Sequence, residues 1–182
     1  MKRAWYLFLL GLCGCVQIPE GLNAVRGFEV ERYLGAWYEI ARLDHSFERG
    51  LIQVNANYSL NEDGSLRVVN RGFDPKMNKW KQVTGRAYFV AEPDLGRLKV
   101  SFFWPFYGGY NILVLDESQY AYALVCGNSR DYLWILARQP VLPEPVLASL
   151  IKKAKDLGFD TEALIYVPQE NPDGRPTLDG NK

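Results

Sequence analysis

The segment from Leu51 to Leu60 alternates apolar Val54, Ala56, Tyr58 and Leu60 with polar Asn55, Asn57 and Ser59. A period of two puts one face of an extended chain against a core and leaves the other wet. Similar short segments run from Gly35 to Leu43, Ser65 to Phe73, Trp80 to Ala91, Arg97 to Phe103, Tyr110 to Leu115, Tyr120 to Gly127 and Asp131 to Arg138. Turn residues separate them. Asn61-Glu62-Asp63-Gly64 has the composition of a hairpin turn, and Asp74-Pro75 and Glu92-Pro93-Asp94-Leu95-Gly96 interrupt the pattern in the same way. Eight consecutive strands with short connections predict an antiparallel up-and-down meander. Left open, such a sheet has two bare edges, and closing it into a barrel removes them. An eight-stranded barrel encloses room for one small ligand. No β-α-β alternation is present, so a parallel sheet is not expected.

One helix follows. Val146, Leu147, Leu150, Ile151, Ala154 and Leu157 recur at helical spacing behind Pro143-Glu144-Pro145. Lys152, Lys153 and Lys155 suit its C-terminal end, and Gly158 is placed to stop it. Leu164 to Val167 predicts one more short strand. The fold class expected is therefore all-β, an eight-stranded antiparallel barrel with one C-terminal α-helix packed outside.

The N-terminus reads as an address. Lys2 and Arg3 precede a short apolar run from Ala4 to Leu12, as in a secretory signal. The run is too short to span a membrane. Leu12-Cys13-Gly14-Cys15 resembles the bacterial lipobox, with Cys13 where Ala or Ser is usual. That resemblance implies cleavage before Cys15 and a diacylglycerol on its sulfur. Val16, which is not Asp, then implies sorting to the outer membrane. The expected organisation is a signal peptide over 1–14, an acylated N-terminus and tether over 15–27, the barrel and helix over 28–167, and a disordered tail over 168–182.

The whole chain carries 21 basic and 21 acidic residues. That balance gives no basic face for nucleic acid. Of 3 cysteines, Cys13 leaves with the signal and Cys15 is acylated, so Cys126 stands alone and no intrachain disulfide is expected. Aromatic residues reach an unusual 14%, with 11 Tyr, 9 Phe and 5 Trp.

Tyr33-Leu34-Gly35-Ala36-Trp37-Tyr38-Glu39 resembles the Gly-x-Trp signature of the lipocalins. Arg130-Asp131-Tyr132-Leu133-Trp134-Ile135-Leu136-Ala137-Arg138 resembles the other two blocks of that family. The resemblance implies that Asp131 and Tyr132 turn into the last barrel strand. It further implies that Trp37 plugs the closed end, that Arg138 lies across its face, and that Gly35 allows the close approach of the chain. Together with the lipobox, it places the chain among bacterial outer-membrane lipocalins similar to apolipoprotein D. A small lipophilic ligand in the barrel is implied, a fatty acid or lysophospholipid, with a role in membrane maintenance by storage or transport.

Strand phasing points Ala56, Tyr58, Val68, Val100 and Phe102 inward, with Val83, Ala87 and Phe89 inward if the fourth strand is phased through Gly85. Phasing taken from the family adds Tyr110, Ile112, Tyr132 and Trp134. Glu39 shares the phase of Trp37, which leaves it either inside the barrel or on the surface at a frayed strand end. Phe102 to Tyr107 is expected to run off a strand into a loop near the mouth, as a ligand portal, a membrane contact or a homodimer face.

Two other classes compete. A lipocalin-fold enzyme would have to use His45, the only histidine, or Cys126. His45 reads as a solvated loop residue, and Cys126 turns outward if Ala123 and Val125 face in. No Cys or His spacing suggests a metal site. The other alternative is a structural or interaction lipoprotein with no ligand.

Overall fold

The computed structural model describes residues 16–170. The signal peptide, Cys15 and most of the expected tail lie outside the described residues. A short helix, α1 (Val30–Tyr33), leads into eight strands: β1 (Gly35–Arg42), β2 (Ile52–Leu60), β3 (Leu66–Asp74), β4 (Lys79–Phe89), β5 (Arg97–Phe103), β6 (Phe106–Leu115), β7 (Tyr122–Cys126) and β8 (Leu133–Ala137). Helix α2 (Glu144–Asp156) and a two-residue strand, β9 (Ile165–Tyr166), follow.

Each strand pairs antiparallel with the next, and β8 pairs with β1. Pairing of β1 with β2, from Gly35↔Tyr58 to Tyr38↔Asn55, is the remaining join of the barrel. The sheet is thus a closed eight-stranded barrel with β9 added beside β1. Closure satisfies the edges that the sequence pattern would otherwise leave bare.

Two apolar layers result. The inner one includes Trp37, Ala56, Tyr58, Leu66, Val68, Ala87, Leu98, Ile112, Ala123 and Val125. The outer one lies between the barrel wall and α2 and includes Ile40, Leu124, Cys126, Leu133, Ile135, Leu150 and Ala154. Double-sided burial explains why the last strands are apolar on both faces. Helix α2 ends where Gly158 takes φ +83°, the left-handed conformation that favours glycine.

Three boundaries differ from the sequence expectation. Residues 16–27 are not a free tether. Pro19 and Leu22 are buried, Leu22 within the outer layer, and Val25 exchanges backbone hydrogen bonds with Ile112 and Gly96. Apolar spacing too sparse to show a period is enough to hold this segment against the barrel. Phe102 to Tyr107 is not a loop either. β5 and β6 run on to a tight hairpin with only Trp104 and Pro105 between them. At the other end, the fold continues past Val167. Gln53 donates its backbone N–H to Pro168 O at 2.7 Å, and Gln169 Nε2 donates to Glu39 O at 2.7 Å and Val54 O at 3.1 Å. Here β1 and β2 have separated, and the C-terminal segment stitches the gap.

Candidate functional site

In an up-and-down barrel the connections alternate between ends. Those after β1, β3, β5 and β7 lie at one end, and those after β2, β4 and β6 lie at the other with α1. The second end is closed. Trp37 is fully buried there, and its indole N–H donates to Tyr33 O at 2.8 Å. Arg138 covers the outside of the ring, its guanidinium carbon 4.1 Å from the ring centroid. Gly35, at φ +90°, turns the chain from α1 into β1, and a Cβ there would lie 3.6 Å from Arg138 Nη1. Asp131 and Tyr132 form the turn into β8, as the family resemblance implies.

Above the plug stands a column of tyrosines. Tyr110 Oη lies 2.7 Å from Tyr33 Oη and 2.9 Å from Tyr58 Oη. Tyr33 and Tyr58 are buried and Tyr110 is half-buried, and burial of its phenol holds each above the usual tyrosine range. They remain neutral hydroxyls, a hydrogen-bonding floor in an otherwise apolar interior.

Ten of the expected cavity residues belong to or pack on the inner layer: Ala56, Tyr58, Val68, Ala87, Phe89, Val100, Phe102, Tyr110, Ile112 and Trp134. Val83 lies two residues further along the face of β4 that carries Ala87 and Gly85, opposite Asn70. Gly85 is required by Phe102: a Cβ on it would come within 2.6 Å of the phenyl ring. Tyr132 stacks on Trp134 at a centroid distance of 6.2 Å, beside the mouth. Val83, Val100, Phe102, Tyr110 and Trp134 stay partly exposed although they face inward, whereas Trp37, Leu66 and Ile112 are sealed. The barrel is therefore packed most tightly at the plug and more loosely toward its open end.

The β1–β2 connection folds back over that opening and carries a buried polar cluster. A bulge between Glu39 and Ala41 sends Ile40 and Ala41 together to the outer layer. The phase of β1 shifts, and Arg42 comes opposite Trp134 rather than facing out. Arg42 Nη1 donates to Glu39 Oε1 at 2.6 Å, and Nη2 donates to Glu48 O at 2.8 Å. The Trp134 indole N–H donates to Glu48 Oε2 at 3.2 Å. Glu39 is thus buried in the barrel wall, which settles its position. Burial, then the charge of Glu48, holds its carboxyl well above the usual range despite Arg42. Burial also raises Glu48, against the pull of Trp134 and Arg42.

His45 is a correction. It is not solvated. Its ring stacks on Phe47 at 4.0 Å and lies 5.2 Å from the Trp134 ring, and burial pushes it down to about 4. Its Nε2 is 3.1 Å from Glu48 Oε2, without the alignment of a hydrogen bond. Arg42 Nε, His45 Nδ1 and Asn70 Oδ1 are buried with no hydrogen-bond partner among the described residues. Arg42 and Glu48 escape a reading by alternation, since a bulge hides one and an irregular loop the other.

Cys126 sits in the outer layer beneath α2, and burial pushes its thiol up to about 12. A neutral thiol on the far side of the wall is poorly placed as a nucleophile for anything in the barrel.

The family model described as a lipocalin-like domain matches residues 28–169. The chain is a lipocalin. It is 50% identical over 162 residues to the outer membrane lipoprotein Blc of Escherichia coli K12, covering 89% of this chain and 91% of that one. It is 49% identical over 170 residues to the Vibrio cholerae protein of the same name, covering 92% and 99%. Mouse apolipoprotein D is 34% identical over 171 residues, covering 90% of this lipocalin and 86% of its own length. Among solved structures, insecticyanin of the tobacco hornworm Manduca sexta superposes with a TM-score of 0.67 at 21% identity, covering 83% of this chain and 85% of that one. At that identity the likeness supports the fold alone.

Proposed function

We propose that this lipocalin is an outer-membrane lipoprotein, anchored through a diacylglycerol on Cys15, that holds a fatty acid or lysophospholipid in its barrel. The carrying observation is the gradient inside the barrel. Inward-facing Val83, Val100, Phe102 and Trp134 keep exposed surface toward the mouth, while the plug end is sealed. Such a space, apolar on its walls with a few placed polar groups, suits an acyl chain. The tyrosine floor and the orphaned Arg42 Nε, His45 Nδ1 and Asn70 Oδ1 supply polar groups at different depths. The names of the Escherichia and Vibrio relatives support the outer-membrane location. Storage or transport of that lipid would serve membrane maintenance.

Lipid extraction and native mass spectrometry of the purified protein test the reading. A co-purifying fatty acid or lysophospholipid, displaced by an apolar fluorescent probe, is the expected result. A barrel that neither carries a lipid nor takes up the probe would leave a ligand-free structural lipoprotein. Turnover of a lipid that is lost in His45→Ala would instead make it an enzyme.

A further inference from the structure

The floor of the barrel holds one proton that its own residues do not use. Tyr33, Tyr58 and Tyr110 carry three phenolic protons between them. The two contacts that join them, Tyr33 Oη to Tyr110 Oη at 2.7 Å and Tyr58 Oη to Tyr110 Oη at 2.9 Å, take up two. No other hydrogen bond reaches these oxygens among the described residues. Position decides which tyrosine keeps the third. Tyr33 and Tyr58 are only 2% and 7% exposed, whereas inward-facing Tyr110 keeps part of its surface open. A spare proton on either sealed residue would be a buried donor without an acceptor, a costly arrangement. Tyr110 Oη has two lone pairs and accepts from both neighbours. Its own proton is then the one turned to the barrel space.

The interior also holds an acceptor without a donor. Asn70 pairs with inner-layer Ala56 and so shares the inward face, and its buried Oδ1 has no hydrogen-bond partner among the described residues. Asn70 is two residues along β3 from Val68, the partner of Tyr58. A plain hydrocarbon chain answers neither group. A carboxylate at the floor would be a buried charge with no free cation to meet it. Arg138 lies against the outside of the Trp37 ring with its N–H groups on three carbonyls, and Arg42 is bound to Glu39 and to Glu48 O. A neutral hydroxyl, which both accepts and donates, fits. Tyr110 is four residues along β6 from Phe106. At about 3.3 Å per residue and a strand tilt of about 40°, it stands about 10 Å below the start of that strand. An acyl chain entering from the open end meets Tyr110 well away from its head.

We propose that the barrel selects an acyl chain bearing a hydroxyl near its middle, with that oxygen on Tyr110 and the charged head toward the open end. Tyr110 is then a specificity-determining residue, and the tyrosine trio measures where along the chain the oxygen sits. The proposal rests on the reading that the barrel holds an acyl chain, and adds which chain.

The test measures displacement of an apolar fluorescent probe from the purified protein by octadecanoic acid and by its isomers hydroxylated at carbon 2, carbon 10 or carbon 12. The hydroxylated acids share one composition, so only the position of the oxygen differs. A mid-chain isomer should bind about fivefold more tightly than the carbon 2 isomer. Tyr33→Phe/Tyr58→Phe/Tyr110→Phe removes the three hydroxyls together and leaves no orphan among them. It should melt cooperatively, still take up octadecanoic acid and lose the positional preference. Tyr58→Phe leaves the proton of Tyr110 in place and should keep it. If the triple variant does not fold, Tyr110→Phe carries the same comparison against Tyr58→Phe. Equal affinities of the isomers in the wild type, or a preference that survives loss of the Tyr110 hydroxyl, would overturn the proposal. Octadecanoic acid that still binds in that case leaves the acyl-chain reading standing. Failure of every acid to displace the probe would overturn that reading too.

Discussion

Arg138 and Trp37 close the barrel as a pair: the guanidinium carbon lies 4.1 Å from the centre of the indole ring, and the group donates to three carbonyls of three different segments. Those are Tyr120 O at 3.3 Å, Ala36 O at 2.8 Å and Arg32 O at 2.7 Å. The ring cannot be removed without opening a cavity, and the guanidinium cannot be removed without orphaning chain ends. Trp37→Ala should lose about 3–5 kcal/mol. Arg138→Lys should lose about 1–3 kcal/mol, because an ammonium cannot cover the ring and reach all three carbonyls. Urea denaturation measures both, and a loss below about 1 kcal/mol in Trp37→Ala would mean that the plug is elsewhere.

The buried acid pair makes stability depend on pH in an unusual direction. Glu39 and Glu48 are both held above the ordinary value of 4.5. As pH rises past that value, the unfolded chain releases protons that the folded chain keeps, so stability falls with rising pH. His45 acts oppositely: lowered from 6.5 to about 4, it costs stability as pH falls through that window. Above 6.5, and below the ordinary thiol value of 9.0 where Cys126 and then the buried tyrosines begin to add the same trend, the acid pair stands alone. Thermal melts between pH 6.5 and about 8 should show the wild type losing stability as pH rises and Glu39→Gln losing less. Parallel profiles would show that Arg42 keeps both carboxyls charged throughout.

Trp134 faces the interior, packs near His45 and Tyr132, and ties Glu48 of the overlying loop. Trp134→Phe keeps most of the wall and removes the N–H. Trp134→Ala removes both. Probe titration should show affinity falling in Trp134→Ala by more than in Trp134→Phe, with the melting transition of each still cooperative. Unchanged affinity in Trp134→Ala would remove this residue from the ligand space.

Cys15→Ser should move the protein from the membrane pellet to the soluble fraction of fractionated cells. Two or more acyl chains hold a protein firmly, at about 0.8 kcal/mol for each buried methylene. A variant that stays in the pellet after a salt and carbonate wash would show that the lipobox reading is wrong.

The barrel was legible because its strands are amphipathic with a strict period, and that period survives in β2, β4 and β5. The Trp37–Arg138 closure was legible only through family resemblance, since 101 residues separate the two and no local pattern joins them. Bulges limit the method. One extra residue at Ile40 reverses the phase of β1, brings Arg42 opposite Trp134 and sends Ala41 out. The shift between Ile112 and Val114 likewise puts Leu113 and Val114 in the outer layer while Leu115 returns to the inner one. The loop with His45 and Glu48 has no period to read. Its burial comes partly from His45 packing on Trp134 and from the Trp134–Glu48 hydrogen bond, contacts that form only when β8 is alongside.

Gln169 lies 130 residues from Glu39 and 115 from Val54, yet one side-chain amide ties both strands. A chain that emerges from its N-terminus can pair β2 through β8 in order while the mouth half of the β1–β2 join still waits for its last stitch. Until residues 165–169 are in place, one seam of the barrel wall is unfinished.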